Sequence, residues 1–386
     1  MQATRICVIS GAPPNINDAV GDFAWLLAKE LALEYEVSLI VPKSRNMADS
    51  DGISMHRVNS GWGYDASEQV RGVIDRIKPE VILVHFVPQL YGWNGAKPML
   101  AILLFALKRS GYTIVTIAHE FSSPLGPSPK LMLWASAHQL LLRFIVRASR
   151  GIVVTNKLYL DILKRQFPRR SSDFHCIPVG CALPVIAMSE DQKQQLREQL
   201  AIGDGELVVS TFGSAVESIA APLENLFDWF LRDGWAARFL IIGKSGEALR
   251  RKLSRHSAIA ERMIVTGPVS NEGVSNYLSI SDLYVIFYAD GASTRRTSLM
   301  VGLAHGVPTI SNTGILTDSL LASSGALYLM NGTMKDYEAE MLRQLCANSG
   351  ERKRLGEKAR AFFDENFSWE RIGTQYRRVI EESSAK

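Results

Sequence analysis

The sequence has few cysteines, and they do not stand in the patterns by which cysteines build metal or disulfide sites. The four cysteines, Cys7, Cys176, Cys181 and Cys346, lie far apart and form no CxxC pair. We therefore expect buried thiols in a reducing compartment, and neither a structural metal nor a disulfide framework.

Long apolar runs and a targeting segment are missing as well. The longest apolar stretches, 98–107 and 131–146, are too short or are interrupted by His138 and Arg143, whereas a helix that spans a bilayer needs about 20 apolar residues. The first strand-like segment begins at Arg5 with no signal peptide before it. These absences argue against an integral membrane protein and against a secreted one, and we expect a cytoplasmic protein.

A strong excess of one charge is the third absence. The 43 basic and 39 acidic residues leave a net charge of +4, which argues against a dedicated nucleic-acid binder. With 47% hydrophobic and 21% charged residues, the chain has the composition of a folded enzyme. Its 386 residues exceed what one hydrophobic core usually serves, so we expect two domains.

What the sequence does contain is a regular alternation of short Val- and Ile-rich runs with longer helical patterns. This alternation is typical of parallel sheets with helices on both faces. The strand candidates of the first half are RICVIS, EVSLIVP, ISMHRV, EVILVHF, TIVTIAHEF, GIVVTN and FHCIPVG. Those of the second half are ELVVSTFG, RFLIIG, MIVTGPV, LYVIFY, VPTISN and ALYLM. Each half is therefore predicted to be a doubly wound α/β unit.

A polar, helical stretch separates the two halves. Its sequence, SEDQKQQLREQLAIGDGE, ends in a glycine-rich turn, as expected at a domain boundary. After Met330 the apolar strands stop, and Ser368 is predicted to cap a last helix that starts at Trp369. The predicted organisation is an N-terminal Rossmann-like domain at 1–182, a linker at 183–205, a C-terminal Rossmann-like domain at 206–365, and a helix at 366–386 that crosses back to the first domain.

In open parallel sheets, ligands bind beyond the carboxyl ends of the strands, so the residues that follow each strand are the candidates for a site. After the first strand, GAPPNINDAVGDFAW places Gly21 at the start of a helix, where a backbone without a Cβ can approach an anion or a sugar hydroxyl. A tight turn without a ligand would use the same glycine. After the fifth strand stands His119, followed by Glu120, and this histidine is either a ligand contact or a hydrogen-bonded core residue.

The segment GKSG at 243–246 follows a strand and precedes a helix, and so imitates a phosphate-binding P-loop. The P-loop pattern requires a glycine at the position of Arg238, which belongs to the strand itself. A nucleoside triphosphatase is therefore not expected. Lys244 still follows the carboxyl end of a strand and is a candidate for lining a cleft.

The most unusual segment is DGASTRRTS at 290–298, which lies between a strand and a helix. Small residues, the N-terminus of a helix, and the adjacent guanidinium groups of Arg295 and Arg296 together make a site for a diphosphate. The alternative is a solvated pair of surface arginines. The other residues predicted to bind a ligand in this segment are Asp290, Gly291, Ser293, Thr297 and Ser298.

In their order and spacing, several segments resemble the retaining glycosyltransferases of family four, which have the GT-B fold of two Rossmann-like domains facing across a cleft. The resemblance covers nearly the whole chain. The segments that carry it are GDFAWLLAKELA, VHFVPQLYGW, the His119-Glu120 pair, FGSA, VTGPVSNEGVSNYLSISDLYVIFYADGASTRRTSLMVGLAHGVPTIS and FSWERIGTQYRRV.

The resemblance implies a nucleoside diphosphate sugar held mainly by the second domain, an acceptor held mainly by the first, and no metal. Gly213 and Ser214 would lie near the diphosphate, and Val269 near the base. Because the donor is a substrate, no separate cofactor is implied.

In the first domain, the resemblance places Gly21 close to the donor phosphates or sugar. His119 would contact the transferred sugar. Asp22 and Glu120 are expected on the acceptor side of the site.

Two departures from the family pattern change the expected chemistry. The positions of its two glutamates are held here by Ser293 and Val301, and a valine cannot bind ribose hydroxyls. The Arg and Lys that usually follow the first strand of the second domain are missing from FGSAVESIAAPL. Arg295 and Arg296 are expected to replace that charge, as in a subgroup whose members resemble DGxSxRRxSL.

An Asp-Ser-Asp sequence at Asp49–Asp51 resembles the DxD pattern that holds a divalent ion in sugar-nucleotide chemistry. It lies in a polar loop, MADSDG, before an edge-type strand. We therefore expect no metal site there.

The function predicted from the sequence is transfer of a glycosyl group from a nucleoside diphosphate sugar to an acceptor hydroxyl, with retention of anomeric configuration. The acceptor is expected to be a glycan, a glycolipid or a small molecule, as in glycan or glycoconjugate biosynthesis. Fixed cations would stabilise the leaving diphosphate, and the predicted catalytic residues are His119, Arg295 and Arg296. Two alternatives stay open, namely a sugar-nucleotide epimerase or phosphorylase on the same fold, and a catalytically dead nucleotide-sugar-binding scaffold.

The segment Lys130–Arg150 raises the hypothesis of peripheral contact with the inner face of a membrane. It combines apolar residues such as Leu133 and Leu140 with Arg143 and Arg147, a mixture suited to an anionic interface. The alternative is an ordinary helix that packs on the sheet.

Overall fold

The chain folds into two compact units. The computed structural model describes residues 4–14, 18–43, 52–59, 61–91, 98–120, 129–213, 219–253, 257–331 and 336–385. The first unit comprises Met1–Pro178 and Trp369–Lys386, and the second comprises Val179–Ser368.

The first unit is built on a seven-stranded parallel sheet in the order β3-β2-β1-β4-β5-β6-β7. Its strands are β1 (Arg5–Ser10), β2 (Glu36–Pro42), β3 (Ile53–Val58), β4 (Val81–Phe86), β5 (Thr113–Ala118), β6 (Gly151–Val154) and β7 (Phe174–Cys176). The central strands are buried along almost their whole length, which explains why their sequences are continuous apolar runs rather than alternating ones. The last strand is shorter than its sequence pattern, because Pro178 has no N–H to donate.

The helices of the first unit cover this sheet. They are α1 (Ala19–Leu31), α2 (Tyr64–Ile77), α3 (Met99–Arg109), α4 (Pro129–Ala148), α5 (Lys157–Gln166) and, from the end of the chain, α15 (Trp369–Ser384). α1 begins where the carboxylate of Asp18 accepts hydrogen bonds from the first backbone N–H groups. α15 packs along α1, and Arg377 of α15 forms an ion pair with Glu30.

The second unit has a six-stranded parallel sheet in the order β10-β9-β8-β11-β12-β13. Its strands are β8 (Leu207–Phe212), β9 (Ala237–Ile242), β10 (Met263–Val265), β11 (Leu283–Val285), β12 (Thr309–Asn312) and β13 (Tyr328–Met330). Its helices are α6 (Glu190–Gln199), α7 (Ala220–Arg232), α8 (Gly246–Leu253), α9 (Ser257–Arg262), α10 (Asn271–Ser279), α11 (Thr297–Ala304), α12 (Ser319–Ala322), α13 (Asp336–Ala347) and α14 (Ser349–Asn366). Every strand candidate of the sequence overlaps a strand of the structure.

Each sheet reverses its strand order once, between β1 and β4 in the first unit and between β8 and β11 in the second. Such a reversal sends the following connections to opposite faces of the sheet and opens a crevice beyond the carboxyl ends of the two strands. Ligand-binding residues are therefore expected at these two edges.

The segment 183–205, predicted from its polar composition to be a linker, belongs to the second unit. The backbone N–H of Ile186 donates to the hydroxyl of Ser275 at 2.8 Å, and that hydroxyl also lies 3.0 Å from a ring nitrogen of His305. Arg197 of α6 lies 3.9 Å from the carboxylate of Asp282. The N-terminal part of the first unit ends at Pro178, whereas the sequence placed the domain boundary at 182. The backbone N–H of Val179 already donates to the carbonyl of Thr294, in the second unit, at 3.0 Å.

Among the described residues, no helix is both long enough and apolar enough to cross a membrane. The four cysteines are free thiols. Burial raises the pKa of Cys7 and Cys181 to about 12, so both stay protonated near neutral pH.

Candidate functional site

A pair of histidines stands at the carboxyl end of the first sheet. His85 is next to last in β4, and His119 directly follows β5, the neighbouring strand. The backbone N–H of His119 donates to the carbonyl of Phe86 at 3.0 Å, which carries the strand pairing one residue further. His119, predicted to reach the site, is thus fixed at the edge of the sheet with 9% of its surface exposed.

The two imidazoles contact each other directly. Nδ1 of His85 lies 3.0 Å from Nε2 of His119, and the rings are stacked with their centroids 5.3 Å apart. Burial, and to a smaller extent the charge of His119, lower the pKa of His85 well below its ordinary value. His85 is therefore neutral near pH 7, and one ring donates a hydrogen bond to the other. The contact restricts the orientation of His119.

His85 was not predicted from the sequence as a site residue, although a signal was present. Its run, VILVHF, is apolar except for this one residue, and the residue lies at the carboxyl end beside the switch point. A buried polar side chain normally requires a partner. The neighbouring strand, β5, is followed by His119, which can supply that partner.

α1 closes one side of this histidine pair. The ring of Phe23 stands edge-on to His85 and to His119, with centroid distances of 5.7 and 5.3 Å. Asp22, one residue earlier, lies in the first turn of α1 and is half-buried. Glu120 follows His119 directly and is also half-buried. Phe23 and His119, the sequence neighbours of Asp22 and Glu120, are thus in contact at this edge of the first sheet, and an acceptor-side role for Asp22 and Glu120 stays a prediction.

Gly21 has a packing role that accounts for it without a ligand. A Cβ on this residue would lie 2.3 Å from the carbonyl oxygen of Pro13. The loop after β1 therefore crosses α1 so closely that only glycine fits there. Gly21 thus lies in the first turn of α1 rather than in a tight turn, and its approach to a donor stays a prediction.

The second unit carries a compact charged cluster after β11. Both arginines of the RR pair bind the carboxylate of Asp290: an Nη2 of Arg295 lies 2.9 Å from one oxygen, and an Nη2 of Arg296 contacts the other. Burial acts to raise the pKa of Asp290, but the ion pairs with Arg296 and Arg295 outweigh it and hold that pKa below its ordinary value. The carboxylate is therefore ionised, and the cluster carries one net positive charge rather than two.

The cluster is tied to the start of α11. The guanidinium of Arg296 lies over the ring of Tyr288, 4.7 Å from its centroid. The Tyr288 hydroxyl lies 2.8 Å from the hydroxyl of Ser298 in the first turn of the helix. These contacts hold the Arg296 head beside the helix N-terminus.

α11 begins without a side-chain cap. Arg296 occupies the N-cap position and makes no capping hydrogen bond with its side chain. Thr297 and Ser298 follow it and are partly exposed. Backbone N–H groups in the first turn of a helix have no intrahelical acceptor, so this end attracts an anion.

Gly291 fixes the loop that carries Asp290. Its φ of +87° favours glycine, and a Cβ there would lie 2.3 Å from the backbone nitrogen of Gly314. The loop after β11 is therefore packed against the loop after β12. The backbone N–H of Leu316 adds a hydrogen bond of 2.9 Å to the carbonyl of Asp290.

Ser293 and Val301, at the positions of the family's two glutamates, are both buried. Ser293 has no exposed surface, and its hydroxyl has no hydrogen-bond partner among the described residues. Val301 is 2% exposed and packs in the interior with α11. Both side chains lie in the interior in this conformation, and donor binding by Ser293 stays a prediction.

The remaining predicted donor-binding residues stand at the ends of neighbouring strands of the same sheet. Gly213 follows β8 with a φ of +143°, Lys244 follows β9 by two residues and is exposed, and Val269 lies in the loop after β10 and is half-buried. Gly243 pairs with Gly267, which joins the loops after β9 and β10. Ser214, also predicted to bind the donor, lies outside the described residues.

No group of three or more His, Cys, Asp or Glu side chains in the described part of the chain has the geometry to hold a metal ion. The Asp49–Asp51 sequence that was weighed as a metal ligand lies outside that part. The predicted donor-binding residues that the structure describes include two guanidinium groups, one lysine and the N-terminus of a helix.

No protein-family model matches the sequence, and no curated protein matches it. Its fold, however, matches solved structures along the whole chain. Sucrose-phosphate synthase from Thermosynechococcus elongatus is 16% identical, with 99% of each chain covered and a TM-score of 0.74. HepE from Anabaena, crystallised with UDP-glucose, is 12% identical, with 98% of this chain and 99% of that chain covered and a TM-score of 0.70. The catalytic domain of starch synthase IV from Arabidopsis thaliana, bound to ADP and acarbose, is 14% identical, with 100% of each chain covered and a TM-score of 0.68. At these identities the likeness concerns the fold, and it confirms the predicted GT-B class.

Proposed function

We propose that this protein is a glycosyltransferase that moves a sugar from a nucleoside diphosphate sugar to an acceptor hydroxyl. The observation that carries the proposal is the cluster after β11, where two arginines lie beside the uncapped N-terminus of α11. This edge is the switch point of the second sheet, where ligands of such folds bind. The UDP-glucose and ADP present in structures of the same fold support a nucleoside diphosphate sugar as the ligand class.

The chemistry follows from charge. A nucleoside diphosphate sugar carries about two negative charges, and the leaving diphosphate gains roughly one more as the glycosidic bond breaks. Arg295 and Arg296 are proposed to grip phosphate oxygens with the N–H groups that Asp290 does not engage, since a guanidinium offers five donors. Asp290 orients both guanidinium groups before the ligand binds. Little conformational entropy is therefore lost when they contact the phosphates.

The donor is proposed to lie along the carboxyl ends of β10, β9, β8 and β11. In this orientation the base is near Val269, and the diphosphate lies near Gly213, Lys244 and the start of α11. The order of the strands in the sheet supports this path, because these four strands are consecutive neighbours.

In the first unit, His119 is proposed to contact the transferred sugar, with Asp22 and Glu120 near the acceptor. The contact with His85 fixes the orientation of the His119 ring and so supports this role. A hydrogen-bonding group that is already oriented loses less conformational entropy when the substrate binds.

The finer assignment is membership of family four, with a DGxSxRRxSL donor loop, retention of configuration and no metal requirement. The cationic cluster supports metal independence, because guanidinium groups and a helix N-terminus supply the charge that a divalent ion would supply. The proposed acceptor is a hydroxyl of a glycan, a glycolipid or a small molecule.

A second candidate is a protein that binds a nucleotide sugar without turning it over. Val301 favours it, because a buried valine stands where the family has a glutamate. Both candidates bind the nucleotide sugar, but only the transferase converts it.

The test begins with thermal unfolding in the presence of nucleoside diphosphates and their sugars. A ligand at 100 times its Kd stabilises the folded state by about 2.7 kcal/mol, which raises the unfolding temperature measurably. The stabilising nucleotide sugar is then incubated with acceptor hydroxyl compounds, and release of nucleoside diphosphate is measured.

Release that depends on the acceptor supports a transferase. Conversion of the sugar nucleotide without an acceptor hydroxyl would indicate an epimerase, or a phosphorylase if the conversion requires added inorganic phosphate. Binding without any conversion would indicate the scaffold, and no stabilisation by any nucleotide would refute both candidates.

A further inference from the structure

Half of the strongly exposed large hydrophobic side chains of the described residues lie on two neighbouring helices. Ten such side chains are exposed, and five of them belong to α3 and α4, whereas the other five are scattered over separate elements. The five are Ile102, Met132, Leu133, Leu140 and Phe144, and we call their surface the α3–α4 face. Exposed apolar side chains that stand singly are ordinary, but a contiguous group usually marks an interaction site.

Most of this face is the exposed side of the amphipathic helix α4, and the neighbouring helix α3 contributes Ile102. On α4, Leu133, Leu140 and Phe144 recur at helical spacing and point outward, whereas Leu142 and Ile145 are buried in the core of the first unit. α4 thus packs on the sheet, as the alternative in the sequence analysis held, and still leaves an apolar stripe in solvent. Leu140 is 54% exposed although Leu141 beside it is 8% exposed.

The two helices present their exposed residues to the same side. The ring of Phe105 on α3 meets that of Phe144 on α4 edge-on, with the centroids 5.9 Å apart. Ile102 lies one turn before Phe105. At the other end, the ammonium of Lys108 donates a hydrogen bond to the carbonyl of Arg147. The apolar surface and the basic residues are therefore continuous across α3 and α4.

The charge on these helices is of one sign. Neither α3 nor α4 contains an aspartate or a glutamate, although the whole chain has 39 acidic residues. Lys108, Arg109, Arg143 and Arg147 are all exposed. None of these four forms an ion pair with a carboxylate of the described residues, whereas three exposed arginines of α14 and α15, namely Arg354, Arg360 and Arg378, do.

We propose that the α3–α4 face docks on an anionic lipid membrane surface. Apolar side chains on a helix that lies in the interface bury themselves among the acyl chains, while Lys and Arg at its border attract acidic headgroups. A second copy of this chain fits the face poorly, because a symmetric contact would place the four basic residues against their own copies without any carboxylate between them.

The test is flotation of the full-length protein with lipid vesicles. Vesicles of phosphatidylcholine alone are compared with vesicles in which one third of the lipid is phosphatidylglycerol, at low and at high salt. We expect binding to the anionic vesicles at low salt, weaker binding at high salt because the attraction is screened, and little binding to phosphatidylcholine.

Two double variants separate the charged from the apolar part of the face. Arg143→Gln with Arg147→Gln should weaken vesicle binding by roughly 30-fold, which corresponds to about 1 kcal/mol for each charge. Leu133→Ser with Leu140→Ser should weaken it by about tenfold or more. All four side chains are exposed, so circular dichroism and the unfolding temperature should stay close to those of the unchanged protein.

Matched controls remove the same groups elsewhere. Lys353→Gln with Arg354→Gln deletes two exposed positive charges of α14, whose side chains are 80% and 69% exposed. Leu33→Ser with Leu320→Ser deletes two exposed leucines outside the face. Both controls should bind vesicles as the unchanged protein does.

Several results would overturn the proposal. One is no binding to anionic vesicles at low salt, and another is binding that the face variants and the controls weaken equally. A third comes from sedimentation equilibrium: a self-association that Leu133→Ser with Leu140→Ser abolishes, without vesicle binding, would assign the face to a second copy.

Discussion

His85 and His119 stack against each other at the carboxyl end of the first sheet, with Nδ1 of the first 3.0 Å from Nε2 of the second. His85 has no exposed surface, and its other ring nitrogen has no hydrogen-bond partner among the described residues. The orientation of His119 therefore depends on a buried neighbour that is itself held by packing. A substitution at either histidine is expected to change the position of the other ring.

We expect His119→Ala to lower turnover by roughly ten- to a thousandfold, or about 1.4 to 4 kcal/mol of barrier, if His119 contacts the transferred sugar. The sequence alone suggested that stability would barely change. The structure changes that expectation, because the substitution leaves Nδ1 of His85 unsatisfied in the interior, at a cost of about 1 to 3 kcal/mol. Steady-state kinetics and urea unfolding measure the two effects separately. A folded variant with ordinary turnover would remove His119 from the site.

The stability of the protein should fall as the pH drops below about 6.5. The pKa of His85 is lowered well below that value, mainly by burial, and the pKa of His305 is lowered for the same leading reason. In this range the unfolded chain binds protons that the folded one does not, so each residue that stays neutral in the folded state costs about 1.4 kcal/mol per pH unit. Above 6.5 both states are neutral and the dependence disappears.

His85→Gln provides the matched comparison for this pH effect. It removes the titrating group and so should flatten the slope of the unfolding free energy between pH 6.5 and 5 by up to about 1.4 kcal/mol per pH unit. Urea unfolding at a series of pH values measures this slope, whatever the variant's absolute stability. An unchanged slope would contradict the buried, neutral state of His85.

Replacing Arg295 or Arg296 by Ala should weaken binding of the free nucleoside diphosphate by about 1.5 to 3 kcal/mol, the usual value of a charged hydrogen bond. Arg296→Lys should also weaken it, because a lysine is a point charge and cannot keep one donor on Asp290 and another on phosphate in the same plane. Calorimetric titration measures the affinities, and circular dichroism checks the folding. Unchanged affinity in both Ala variants would return the pair to the role of a structural ion pair.

Asp290→Asn tests the same cluster by raising its positive charge instead of lowering it. The amide has nearly the shape of the carboxylate but does not neutralise a guanidinium, so the net charge of the cluster rises by one. We expect tighter binding of the nucleoside diphosphate, most clearly at low salt, together with lower stability of the variant. Weaker binding at every salt concentration would show that Asp290 acts mainly by orienting the arginines.

Gly21→Ala and Gly72→Ala should have opposite effects on stability. Both glycines lie inside helices, but a Cβ at Gly21 would meet the Pro13 carbonyl at 2.3 Å, whereas a Cβ at Gly72 has nothing within 4 Å. The first change should cost about 1 to 3 kcal/mol through overpacking, and the second should stabilise by roughly 0.5 to 1 kcal/mol through helix propensity. Urea unfolding measures the free energy of unfolding of both variants. Equal effects would mean that the loop after β1 shifts at little energetic cost to accommodate the Cβ.

The sequence by itself determined the secondary structure and the class of fold. Runs such as RICVIS and EVSLIVP became strands at the residues predicted, because a strand buried on both faces must be apolar throughout, and that pattern is local. The same locality placed His119 and the arginine pair after strands, and hence at the edges where ligands bind in such sheets.

What only the tertiary structure decided depends on partners far apart in the chain. The polar composition of 183–205 indicated a linker, but Ser275 accepts a hydrogen bond from Ile186 and Asp282 forms an ion pair with Arg197, and these contacts draw the segment into the second unit. His85 became a candidate site residue only because it contacts His119, which follows a different strand. The carboxylate that halves the charge of the arginine cluster lies near it in sequence, but a backbone turn held by Gly291 against Gly314 is needed to bring them into contact. Hydrophobic patterning acts within a segment, whereas hydrogen bonds and ion pairs depend on positions in space that only the folded chain defines.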